Sequence, residues 1–332
     1  MRACLLLVAL CGCSPSTNRA VAIDDAYTEM SESIQLFAVA ADALQSSTEG
    51  LCTQTTEARI TAVRDAWWTA RGAYKQVSMA GFGPLEEEPD RLGPKLDFWP
   101  ARPATIEALI ASDAPLDVQA FGSMGTATRG LPAMEVVLYE DDAVVRWGDD
   151  PRRCAFVQGA AGDIASNAHA LEDAWGAWQT RLTEPDGEPY ASTQEVLNEW
   201  VNRVAFAAED IRLEKLGKPM GTGPDDVRPD AIESPWAHRS VADMIDTLDG
   251  AHRVLSAVLV AADDPTLPAR ADAAHEHARE ALADLSEPLV ETLVVEPEIA
   301  QRAQDAVQAY QVLVQMDVAQ ALSVSVVFND ND

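Results

Sequence analysis

The residues able to do chemistry are few and scattered. The chain holds five histidines, and only His275 and His277 lie close together. Their i, i+2 spacing turns them to different sides of a helix, so they cannot act as the i, i+4 pair of a His-Glu-x-x-His zinc site. A solvated helix surface suits them better. No Gly-x-Ser-x-Gly elbow and no phosphate-binding glycine loop occurs. Glu86, Glu87 and Glu88 are adjacent acids in a loop, where like charges repel and face water. One carboxylate stands apart. Glu135, in "RGLPAMEVVLY", is surrounded by Ala133, Met134, Val136, Val137 and Leu138. It is either a structural acid, at a helix start or paired with Arg71 or Arg129, or a member of a ligand site. An unpaired buried carboxylate would be costly, so it needs some partner.

Helices must position these groups. Apolar residues recur at steps of three and four along Ile23–Leu44, Ile60–Val77, Cys154–Leu182, Leu197–Ile211, Val241–Ala262 and Ile299–Leu313. Such stripes mark long amphipathic helices that pack as antiparallel bundles. Trp67, Trp175, Trp178 and Trp200 fall on the stripes and read as core. Only "ALSVSVVF", residues 321–328, alternates as a strand would. "TEPDGEPYAST", Thr183–Thr193, is rich in turn formers and divides the chain into bundles at 23–185 and 190–332.

The two halves share a pattern. "GFGPLEEEPDRLGPKLDFWP" begins at Gly81 and "GTGPDDVRPDAIESPW" at Gly221, each after a tryptophan-bearing helix. Both open Gly-x-Gly-Pro and end at a tryptophan beside a proline, which suggests duplication of a helical unit. Loops this long in helical proteins often carry function. Trp99, between Phe98 and Pro100, lies outside every stripe and is a candidate ligand contact.

With 54 acidic and 24 basic residues, the formal charge is −30. Phosphate would be repelled, which argues against nucleic acid as a partner. Arg2 and the apolar run Leu5–Leu10 form a targeting segment too short to span a bilayer. "LCGC", Leu10–Cys13, resembles the lipobox of bacterial lipoproteins. That resemblance implies a signal peptide at 1–12, lipid on Cys13, a linker at 13–22 and attachment to the membrane through the lipid. Ser14 after the cysteine implies the outer membrane, facing the periplasm. The cysteines left, Cys52 and Cys154, suggest one disulfide in an oxidising compartment, the alternative being two separate thiols.

Several blocks together resemble the imelysin, or M75 peptidase, family. They are "VRDAWWTARGAY", "GFGP", "DFWP", "RGLPAMEVVLY", "RRCAFV", "LEKLGKPMG", "ESPWAHRSVADM" and "VVFNDND", in the family's order. The resemblance implies an all-α fold of two helical-bundle domains related by duplication. It also implies an envelope protein of iron acquisition, often a lipoprotein. The ligand expected is iron or haem, in a groove between the domains lined by Gly130, Glu135, Trp99 and Arg71. An iron-uptake protein partner is expected too. The alternatives are an interaction scaffold without direct metal binding and a metallopeptidase, for which no protease motif is present. The family signature Gly-x-His-x-x-Glu falls on Gly130–Glu135 with Pro132 at the histidine position. Proline has no ligand atom, so Glu135 alone remains as a metal contact.

Overall fold

Each apolar stripe becomes the buried face of one helix. The computed structural model describes residues 15–327. Its long helices are α1 (Pro15–Ser47), α2 (Glu57–Ser78), α3 (Gly130–Leu138), α4 (Pro151–Thr183), α5 (Thr193–Asp210), α6 (Ser240–Val258), α7 (Leu267–Ala283) and α8 (Pro297–Leu313). No strand occurs among the described residues. Side chains define several of the starts. Thr56 accepts from the Arg59 N–H, Asp150 from Arg152 and Ser192 from Glu195, each meeting a donor that the first helical turn leaves free. Pro151 occupies the first position of α4, where its missing N–H costs nothing.

α1 is a spine. It packs along α2 and α4 of the first half and against α5 and α6 of the second. α2 also packs on α6, and α8 closes the far side against α7 and α5. A Cβ on Gly250 would lie 2.3 Å from the Gln76 carbonyl oxygen, so glycine lets α6 touch the α2 backbone. Apolar residues of both halves form one continuous core. Phe82 sits edge-on to Trp175 of α4 and Trp200 of α5, at 5.7 and 4.9 Å between ring centroids. Those two tryptophans, Trp67 and Trp178 are all buried, as the stripes required.

The break between α4 and α5, residues 184–192, falls where the turn formers predicted it. Cys52 and Cys154 form a disulfide, 102 residues apart, which ties the turn after α1 to the first turn of α4. α1 begins at Pro15, inside the stretch read as a linker. Cys13 lies outside the described residues. The alternating stretch at 321–328 is not a strand over its described part. Ala319–Leu322 is helical, and Ser325 and Val327 are held by Asn202 of α5 through its amide nitrogen and oxygen, at 2.9 and 2.8 Å. An asparagine side chain thus takes the backbone partners that a neighbouring strand would have supplied.

Candidate functional site

The site forms where α2, the two tryptophan-bearing loops and the start of α6 meet. Arg71 and Lys75 lie one turn apart on α2 and share a face. Both are buried. The Arg71 guanidinium spreads over three carboxylates. Its Nε donates to Asp243 Oδ2 at 3.0 Å, one terminal nitrogen donates to Asp97, and the other to Glu233 Oε1 at 3.0 Å. Lys75 Nζ donates to Asp97 Oδ2 at 2.9 Å and to Glu233 Oε1 at 2.7 Å. Asp97 comes from the first loop, Glu233 from the second and Asp243 from α6, so the cluster bridges the halves. Arg239 extends it, pairing with Asp243 and, at 2.7 Å, with Asp246. Its guanidinium also stands over the Trp68 ring, 4.8 Å from the centroid.

A buried charge is stable only when paired and hydrogen-bonded, and here nearly every member is. Burial alone would lower the Arg71 pKa, but Asp243, Asp97 and Glu233 together raise it well above the ordinary value. Burial opposes ionisation of Asp97, yet Arg71 and Lys75 hold it below the usual carboxylate range. Glu233 is likewise held low against burial, by Lys215, Lys75 and Arg71. Lys215 sits on a π-helical turn, Ile211–Gly217, that continues α5. Its Nζ lies 3.4 Å from Glu233 Oε2 and 3.5 Å from Asp210 Oδ2. Those acids outweigh burial and keep the ammonium charged. π-turns inside helices often mark functional positions.

Above this cluster opens a cleft of about 550 Å³, lined among others by Tyr74, Lys75, Asp97, Trp99, Lys215 and Glu233. That volume suits a small-molecule site. Trp99 forms one wall and meets Trp236 edge-on, with ring centroids 6.2 Å apart. The tryptophans that end the two similar loops therefore touch.

The signature residues sit beneath the cleft rather than in its wall. All nine residues of α3 are buried. Gly130 has φ +77°, and a Cβ there would fall 2.5 Å from the Leu96 carbonyl oxygen. Glycine is needed for both reasons, and its absent side chain lets the first loop close down next to Asp97. Glu135 Oε1 accepts the backbone N–H groups of Trp236 and Ala237 at 3.1 and 2.9 Å. It pairs with neither expected arginine: Arg71 is committed to its three acids, and Arg129 donates to both oxygens of Asp163. Nor does it sit at the helix start, since α3 begins five residues earlier. Burial pushes its pKa up to about 8, against the lowering effect of the Ala237 N–H and Arg71. That shift favours the protonated form of Glu135 near neutral pH. Pro132, third in α3, loses only an N–H that the first turn leaves unpaired.

Of the residues predicted to line one groove, Trp99 does so. Arg71 lies just below it, while Gly130 and Glu135 clamp the two loops that build it. Among the described residues no three His, Cys, Asp or Glu side chains, Glu135 included, are placed to hold an ion. Sequence reasoning missed Lys75, Asp97, Lys215, Glu233 and Asp243. The one available signal was Arg71 and Lys75 at i, i+4, next to the apolar stripe of α2.

The profile of the Imelysin family matches residues 31–316. An imelysin-like protein from Psychrobacter arcticum 273-4 has the same fold, with a TM-score of 0.80 at 20% identity over 97% of this chain and 100% of that one. A candidate iron-regulated protein A precursor from Parabacteroides distasonis ATCC 8503 gives 0.76 at 15% identity, over 92% and 95% of the two chains. No curated protein matches the sequence.

Proposed function

The chain belongs to the imelysin family, and from that premise we propose that it is a non-catalytic ligand-binding protein of the cell envelope that serves iron acquisition. Its ligand is an iron complex or haem, taken up in the cleft walled by Trp99. It is held to the outer membrane by lipid on Cys13, faces the periplasm and passes its ligand to an uptake protein. The observation that carries this reading is the cleft itself: both halves build it, an aromatic wall stands on one side and a closed ion network forms its floor. The iron-regulated name of the Parabacteroides relative and the lipobox-like "LCGC" support it too. No helix among the described residues is long and apolar enough to cross a membrane, which is compatible with anchoring by lipid.

The donor set argues for a complex and against a bare ion. The signature histidine is Pro132, and Glu135 spends its Oε1 on two amides. Iron bound here would bring its own chelator. The test is a titration of the full chain with ferric complexes and haem, following tryptophan emission, beside a Trp99→Phe variant. Binding should change emission in the natural chain and leave that component silent in the variant. If no iron species binds, or if emission responds identically without Trp99, the reading falls.

A further inference from the structure

We infer that the cleft selects a ligand bearing an organic cation, an ammonium or guanidinium on a flexible arm, which inserts beside Trp99 toward Tyr74. This rests on the ligand-binding reading above and narrows it to a charge class.

Three lysines and six carboxylates line the cleft, and Arg71 beneath it neutralises part of Asp97 and Glu233, which leaves a surplus of two negative charges. Every lysine already has a carboxylate partner. Lys75 lies between Asp97 and Glu233, Lys215 beside Glu233 and Asp210, and Lys218 on Glu214 at 2.8 Å. An incoming anion would have to displace one of these acids. Glu86 and Asp230, by contrast, are exposed on the rim and form no ion pair or side-chain hydrogen bond among the described residues. An incoming cation meets these two free carboxylates without breaking any pair.

Tyr74 lines the cleft and is 3% exposed, and its hydroxyl makes no hydrogen bond among the described residues. That oxygen is not sealed from solvent, so what little exposure the side chain keeps includes a hydroxyl that no protein group engages. Burial and the negative charge of Asp97 keep this phenol protonated. It can accept a hydrogen bond from a ligand N–H through its lone pairs. The Trp99 ring adds a face on which a cation or its alkyl stem can rest. The protein's overall charge of −30 draws cations toward this opening and repels anions. Among iron complexes, this favours a chelate with a pendant ammonium over ferric citrate or haem, whose free carboxylates face the wrong sign.

The experiment is calorimetry on the full chain with three probes. They are agmatine, the ferric chelate ferrioxamine B with its pendant ammonium, and the same chelate with that amine acetylated. Agmatine binding alone assigns the site to free amines, and ferrioxamine B binding assigns it to the iron-bearing source of the same group. Acetylation should weaken the chelate about tenfold or more, and the Glu86→Gln, Asp230→Asn double variant should do the same to both cations. Tyr74→Phe should cost about fivefold. Both rim positions are exposed and unbonded, so the double variant should keep its thermal unfolding midpoint. Equal binding of the acetylated chelate, or cation binding untouched by the double variant, overturns the inference. Haem or ferric citrate binding with a Trp99 signal, while both cations fail, overturns it and leaves the ligand-binding reading standing. Failure of every probe, haem and ferric citrate included, removes both.

Discussion

Glu135 should make the protein less stable as pH rises through neutrality. Its carboxyl is 1% exposed and its pKa is pushed up to about 8, whereas an unfolded glutamate titrates near 4.3. Below the unfolded value both states are protonated, and the group contributes no pH dependence. Between the two values the folded state holds a proton that the unfolded state has released. Stability therefore falls by about 1.4 kcal/mol per pH unit, and levels off once pH passes the folded value. By pH 7 the accumulated loss is roughly 3–4 kcal/mol relative to pH 4.3, and the full span is roughly 5 kcal/mol. The other acids titrate too, so the measurement must be a difference. Glu135→Gln keeps an oxygen for the Trp236 and Ala237 N–H groups and cannot ionise. Urea unfolding of both proteins at pH 5, 6, 7 and 8 gives that difference directly. The variant should gain about 1.3–1.4 kcal/mol per unit on the natural protein up to pH 7, and about 1 kcal/mol between pH 7 and 8. Parallel stability curves would refute the reasoning, because they would mean that folding leaves this carboxyl's affinity for protons unchanged.

Three further outcomes follow from the same geometry. Arg71→Met leaves Asp97, Glu233 and Asp243 without their shared cation, and should cost about 3–5 kcal/mol by chemical denaturation; a loss under about 1 kcal/mol would show that the network is not sealed from water. Gly130→Ala must hold alanine at φ +77° against the Leu96 carbonyl, and should cost at least about 1–2 kcal/mol and weaken any ligand sensed by Trp99; a neutral result would show that the first loop does not rest on α3. Replacing both Cys52 and Cys154 by serine frees a 102-residue separation and should lower stability by roughly 2–5 kcal/mol, read as a drop in thermal midpoint, with reductant affecting the natural chain alone.

The helices were legible because one apolar face repeats along each of them, and burial follows that period nearly residue by residue. Ile299, Leu313 and Ala262 are only partly buried, since they stand at stripe ends where fewer neighbours cover them. The charged cluster was not legible. Arg71 and Asp243 are 172 positions apart, and nothing local to either names the other. Glu135 fell between these cases. Its oddness was visible, but its partners are backbone amides of Trp236 and Ala237, and an amide leaves no mark in a sequence. Trp99 was found because it broke the pattern, and its touching partner Trp236 was found in the matching loop without any sign that the two would meet.

The spine formed by α1 has a consequence for how anything is captured. Binding proteins with two lobes on a flexible hinge close around their cargo by rotating one lobe against the other. Here a single helix is embedded in both halves, and α2 is pressed against α6 with only Gly250 between backbones. Rotation would have to tear open a shared core. On the ligand-binding reading proposed above, a ligand would enter a rigid body whose mouth is already shaped, with adjustment confined to the two loops and their side chains. Small-angle scattering should give the same radius of gyration with and without cargo.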